Sequence, residues 1–144
     1  MIKKVKLISI IFLLLSTSSL FADNHFFKDG IEKFNKKKYD DAKFLFQRSI
    51  VFNPKDTNSY LYLAKIYNFE KNIPEEEKNI NTTLLLDPKN EEATYMLMEI
   101  ELKKSNYLKV KELTEKFSKI CKNLCEKKNL ILDSLKNLEP KNES

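Results

Sequence analysis

Asn53-Pro54-Lys55-Asp56 and Asp87-Pro88-Lys89-Asn90 are near copies, and their prolines stand 34 residues apart. A fixed period of that length points to stacked helical hairpins, because one hairpin cannot bury its apolar face alone and needs a neighbour. Other landmarks keep the period: Tyr39, Ile73 and Tyr107; Gly30, Ala64 and Met98; Phe26, Tyr60 and Thr94. Three repeats follow, covering 23–56, 57–90 and 91–124.

Composition points the same way. The 144 residues are 42% hydrophobic and 33% charged with one Gly and four Pro, which suits helices and leaves few residues for the tight turns of a sheet protein. The length suits one modest domain.

In the first repeat Phe26, Gly30, Phe34, Tyr39, Ala42, Phe46, Ile50 and Pro54 run large, small, aromatic, aromatic, Ala, aromatic, aliphatic, Pro. That order resembles the tetratricopeptide-repeat family, and Lys38-Tyr39-Asp40-Asp41-Ala42 is its most diagnostic piece. The resemblance covers residues 23 to about 124 and implies an all-α fold, a short α-solenoid of three hairpins. Gly30 and Ala42 are small where paired helices would touch, while Tyr39 and Phe46 are expected to fill the space between one hairpin and the next.

The second repeat keeps Tyr60, Leu63, Ala64, Tyr67, Ile73, Ile80, Leu84 and Pro88, but Glu76 replaces a small residue, which would set its helices further apart. Pro74 fits the first turn of its second helix, and Glu75-Glu76-Glu77 complement the positive helix start. The third repeat departs most, with Met98, Val110, Phe117 and Lys122 at its signature positions, yet it retains Leu97, Leu102, Tyr107, Leu113 and Ile120. Leu124, Ile131, Leu135 and Leu138 then recur at helical spacing, predicting a capping helix over 125–138 that completes a domain of 23–139. Residues 140–144 are expected to form a disordered tail.

Met1 to Ala22 has the three-part plan of a secretory signal peptide: Lys3, Lys4 and Lys6, an apolar stretch from Leu7 to Leu15, and a small polar end. Cleavage after Ala22 is expected, with periplasmic or secreted localisation and no membrane span afterwards. Leu20 is bulky for its place before the cut, so a retained N-terminal anchor is the alternative. No Cys follows the apolar run, which excludes bacterial lipoprotein attachment.

Removal of that segment lowers the formal charge from +5 to +2, and Arg48 is the only Arg. Bidentate contacts to phosphate or guanine favour Arg, so nucleic-acid binding is not expected and the Lys/Glu runs read as solvated helix faces. A single His at position 25 and a single Gly leave no general base of the usual kind, His-rich metal site, phosphate loop or dinucleotide fingerprint. The chain is expected to be no enzyme and to carry neither metal nor cofactor.

Cys121 and Cys125 fall between the last repeat and the cap. An oxidising compartment favours an intramolecular disulfide, with two buried thiols, or metal or redox work, as the alternatives. A bridge across so short a loop would act chiefly by fixing the docking angle of the cap.

The resemblance implies that the first helix of each hairpin lines a concave surface and places Phe27, Ile31, Asn35, Asn58, Leu61, Lys65, Tyr95 and Glu99 toward a peptide or protein partner. Some of these side chains would instead only pack the array. Certain family members capture a C-terminal carboxylate with Lys and Asn, but Phe27, Ile31, Tyr62, Glu92 and Met96 stand at those places here, so that clamp is absent. The expected function is a non-catalytic interaction scaffold of the cell envelope. The alternative is a self-associating, homo-oligomeric structural protein.

Overall fold

The computed structural model describes residues 19–138, with side chains from His25 onward. Residues 1–18 of the expected targeting segment and the expected tail lie outside the described residues; Ser19 to Ala22 contribute backbone to the first helix. Seven helices and no strand occur among the described residues: α1 (Ser19–Asn35), α2 (Tyr39–Phe52), α3 (Thr57–Phe69), α4 (Ile73–Leu86), α5 (Glu91–Lys103), α6 (Tyr107–Ile120) and α7 (Lys127–Leu138). They fall into two compact units that part after Ser59, within the first turn of α3.

The turn inside each hairpin repeats to the residue. Lys37, Lys71 and Ser105 take left-handed backbone, with φ of 56°, 57° and 58°. Each lets the next amide reach back to a carbonyl five residues earlier, Lys38 to Lys33, Asn72 to Tyr67 and Asn106 to Glu101, which satisfies helix-end carbonyls. Asn72 and Asn106 then cap α4 and α6, accepting the Glu75 and Lys109 amides. Lys38, with nearly the same backbone, gives α2 no side-chain cap.

The turns between hairpins begin alike and end differently. The Asn53 Oδ1 accepts the Lys55 N–H and the Asp87 Oδ1 accepts the Lys89 N–H, both at 3.1 Å. Asp56 and Asn90 then start α3 and α5 by accepting the Ser59 and Ala93 amides. At the third such place Cys121 ends α6 and is bridged to Cys125, the Cα atoms 5.2 Å apart. The bridge ties the end of α6 to the loop that leads into α7.

In the first unit Phe46 is fully buried and lies against Gly30 and Phe27, whose ring centroid is 5.8 Å away. Tyr39 meets Phe34 edge-on at 5.6 Å. Both aromatics pack against the first helix of their own hairpin. The missing Cβ of Gly30 admits the Phe46 ring.

The second unit has one apolar core, with Ala64, Ile80, Met98, Ile100, Val110 and Phe117 fully buried at its centre. The large residues at the small-residue positions of the third hairpin thus fill volume within it. Glu76 is only 1% exposed, and its Oε1 accepts the Asn68 Nδ2–H of α3 at 2.8 Å. It bridges the two helices of its hairpin from the first turn of α4, where Glu75 and Glu76 complement the helix start as expected. Burial pushes its carboxyl above the usual range, opposed by the Asn68 bond.

Helix α7 packs on α5 and α6 and buries Ile131 and Leu135. Leu138, expected to be a cap contact, is half exposed, and its carbonyl accepts the Tyr107 hydroxyl at 2.9 Å.

Candidate functional site

Tyr95, Glu99, Leu102 and Lys103 recur three and four residues apart, so they share one face of α5. Opposite them α7 presents Leu130, Ile131, Ser134 and Leu138, and the two helices enclose an open cleft of about 270 Å³. That volume takes a few side chains. Leu130 and Leu138 are each more than half exposed at its rim, an apolar surface without a cover in the chain described.

The polar side of the cleft is ordered. The Tyr95 hydroxyl donates to the Glu99 Oε1 at 2.8 Å. Burial, then the bond to Glu99 and its negative charge, push the phenol up to about 12, so it remains a neutral donor across the physiological range. The Lys127 ammonium lies 5.6 Å from the Tyr95 ring. Near the start of the same helix, Glu92 pairs with Lys65 of α3 at 2.8 Å, and the Lys65 ammonium also lies 4.4 Å from the Tyr62 ring. One surface formed by α3, α5 and α7 thus carries apolar, acidic and basic groups side by side.

Of the residues expected to face a partner, Tyr95 and Glu99 line the cleft and Lys65 belongs to the adjoining ion pair. Leu61 is 6% exposed and belongs to the core, so it holds the array together instead of standing open as an anchor. In the first unit, Phe27 is half-buried against Phe46, Ile31 is half-buried and Asn35 exposed on the same helix, and Asn58 is exposed at the start of α3. The far wall of the cleft was not foreseen. Adjacent Leu130 and Ile131 widen the apolar stripe of α7 beyond what a cap alone requires, and that was its signal in the sequence.

Among the described residues no group of three or more His, Cys, Asp or Glu could hold a metal ion. No helix among them is long and apolar enough to cross a membrane.

No protein-family model matches the chain, and no curated protein matches it. Solved structures do. The first tetratricopeptide domain of Spaghetti (RPAP3), bound to an HSP90 peptide, is 17% identical with a TM-score of 0.72, over 82% of this chain and 96% of that one. The Arabidopsis OM64 domain is 13% identical with a TM-score of 0.73, over 83% and 98%. The Yersinia enterocolitica type III secretion chaperone SycD, in complex with a peptide of the translocator YopD, is 15% identical with a TM-score of 0.69, over 81% and 91%. The repeating turns, the helical hairpins and these likenesses agree that the chain has the tetratricopeptide-repeat fold, three helical hairpins followed by a capping helix.

Proposed function

We propose that this chain is an exported, non-catalytic adaptor of the cell envelope that holds a peptide or protein segment, with the α5–α7 cleft as its principal anchor site. The observation that carries the reading is the cleft itself: exposed Leu130 and Leu138 beside an ordered Tyr95–Glu99 pair. An apolar side chain of the partner would fill the space between the helices, and its polar or basic neighbours would meet Glu99. Similar domains are described with HSP90, HSP70 and YopD peptides bound, which supports a peptide ligand.

The places where some relatives of this fold hold a terminal carboxylate carry Phe27, Ile31, Tyr62, Glu92 and Met96. None of them is a Lys or Asn that would hold an anionic chain end, so the ligand is an internal segment with an apolar anchor. Export is supported by the basic and apolar plan of residues 1–22, and the Cys121–Cys125 bridge is consistent with an oxidising compartment.

The test is photocrosslinking in cells from Lys103 or Ser134 in the full-length protein, alongside fractionation of the envelope. The expected result is one protein captured from both sites in an exported fraction, and lost in Tyr95→Ala and Leu138→Asp variants. A fully cytoplasmic protein would refute export, and capture unaffected by either variant would refute the cleft.

A further inference from the structure

Helix α2 exposes three large apolar side chains within 14 residues: Phe44 (57%), Val51 (76%) and Phe52 (46%). They belong to an ordered patch. The Arg48 guanidinium lies 4.7 Å from the Phe26 ring and 5.7 Å from the Phe44 ring, and Phe26 stacks on Phe52 at 5.3 Å. An arginine placed between rings stiffens the surface before any partner arrives, which lowers the entropy lost on association.

One stripe of this helix, flanked by the equally exposed Asp41 and Phe52, reads the same in both directions. Asp40, Phe44, Gln47, Arg48 and Val51 are exposed at spacings of four, three, one and three, and exposed Lys55 follows just beyond the helix end. Two such helices laid antiparallel about a point between Gln47 and Arg48 bring Phe44 onto Val51, Gln47 onto Arg48, and Asp40 onto Lys55. A two-fold axis makes each pairing twice, so the surface is complementary to itself in shape class and in charge.

We propose that the exposed face of α2 is a homodimer interface, in which a second copy of this chain packs antiparallel with Phe44 against Val51 and Asp40 against Lys55 of its twin. A membrane surface is a poorer fit, because Asp40 and Asp41 border the patch where an interfacial helix carries basic residues. Three apolar side chains per copy make a small contact, so the dimer is weak, with Kd on the order of 10 µM. The interface is independent of the α5–α7 cleft, so partner capture there neither supports nor removes it.

Sedimentation of protein purified from cells expressing the full-length chain, over about 1 to 300 µM, tests this; that range brackets the expected Kd. A monomer–dimer equilibrium is expected, weakened at least tenfold by Val51→Asp and by Phe44→Asp, with the helical circular dichroism retained. Asp40→Lys and Lys55→Glu should each weaken it, and the two together in one chain should restore it, because the exchanged charges meet again across the axis. A chain that stays monomeric throughout, a dimer indifferent to Val51→Asp, or a double variant weaker than either single one overturns the proposal. So does a monomer whose patch binds phosphatidylglycerol vesicles and loses that binding in Val51→Asp.

Discussion

The Glu91 carboxylate accepts the Asn123 N–H at 3.0 Å, and in doing so takes over a task that earlier turns assign to their own side chains. Asn53 and Asp87 serve Lys55 and Lys89 from two residues away. Asn123 stands 34 residues after Lys89, and Cys121 stands where Asp87 does one repeat earlier. With the Cys121 sulfur committed to the bridge, the acceptor comes from the start of α5, and Glu91 also takes the Leu124 N–H at 2.9 Å. Bridge and carboxylate together hold the loop that delivers α7 to the cleft.

Acid should undo the carboxylate half of that tie. The Lys122 and Leu124 amides hold the Glu91 carboxyl below its usual range. A lowered pKa means that the contribution is complete above the unfolded carboxylate value of about 4.3 and disappears as pH falls through the lower folded value. Glu91→Gln is therefore less stable than wild type at pH 7, and the gap closes toward pH 3. Denaturant melts at both pH values check this, and a gap that persists in acid refutes it.

Bridge and carboxylate should also substitute for one another. Reduction by a dithiol leaves Glu91 in place, and Glu91→Gln leaves the bridge, so either change alone should only modestly speed amide exchange in α7. Both together should speed it by more than the product of the separate effects, the signature of coupled contacts. Independent effects would show that the two do not hold the same loop.

Lys38 offers a gain. Its φ of −86° and ψ of 71° match those of Asn106 at −86° and 66°, yet only Asn106 caps its helix. Lys38→Asn should stabilise the protein by about 1 kcal/mol, the ordinary worth of a helix N-cap. Thermal or urea melts measure it, and a loss of stability would show that the α2 start cannot use the new acceptor.

Glu76 carries a penalty at neutral pH. Its carboxyl is raised by burial, so the favourable state is the protonated one, present below about pH 4.3 and lost as pH rises through the higher folded value. Glu76→Gln keeps an Oε1 acceptor for Asn68 without the charge, and should stabilise by about 1 kcal/mol at pH 7.5 and by less at pH 4. A destabilised variant at pH 7.5 would show that the charge itself is needed.

Gly30→Ala should destabilise. A Cβ there would lie 2.6 Å from the Phe46 Cε1, and that ring is fully buried and cannot swing away. Overpacking of about 2 kcal/mol outweighs the helix-propensity gain of about 1 kcal/mol. Adding Phe46→Leu should make the alanine less costly, as a double-mutant cycle would report. An alanine variant as stable as wild type would mean that α1 and α2 can shift apart at no cost.

The period, the helical hairpins, the capping helix and the Cys121–Cys125 pair were all legible in the residue order. Each depends on neighbours in the chain: Pro after Asn53 and Asp87, caps three residues before the amides they serve, apolar residues at helical spacing. The third inter-hairpin turn was recognisable as a departure but not its remedy, because Glu91 lies 32 residues from Asn123.

Sequence alone thus determined the elements and their order, since turn and cap chemistry acts over a few residues and recurs with the repeat. Only the tertiary structure decided which faces meet: Phe46 against Gly30, Leu61 into the core, Glu76 onto Asn68, and α7 as the second wall of the cleft. The reason is that a helix's apolar stripe states how much surface must be buried, while the choice of partner depends on shape and on polar bonds between residues far apart in the chain.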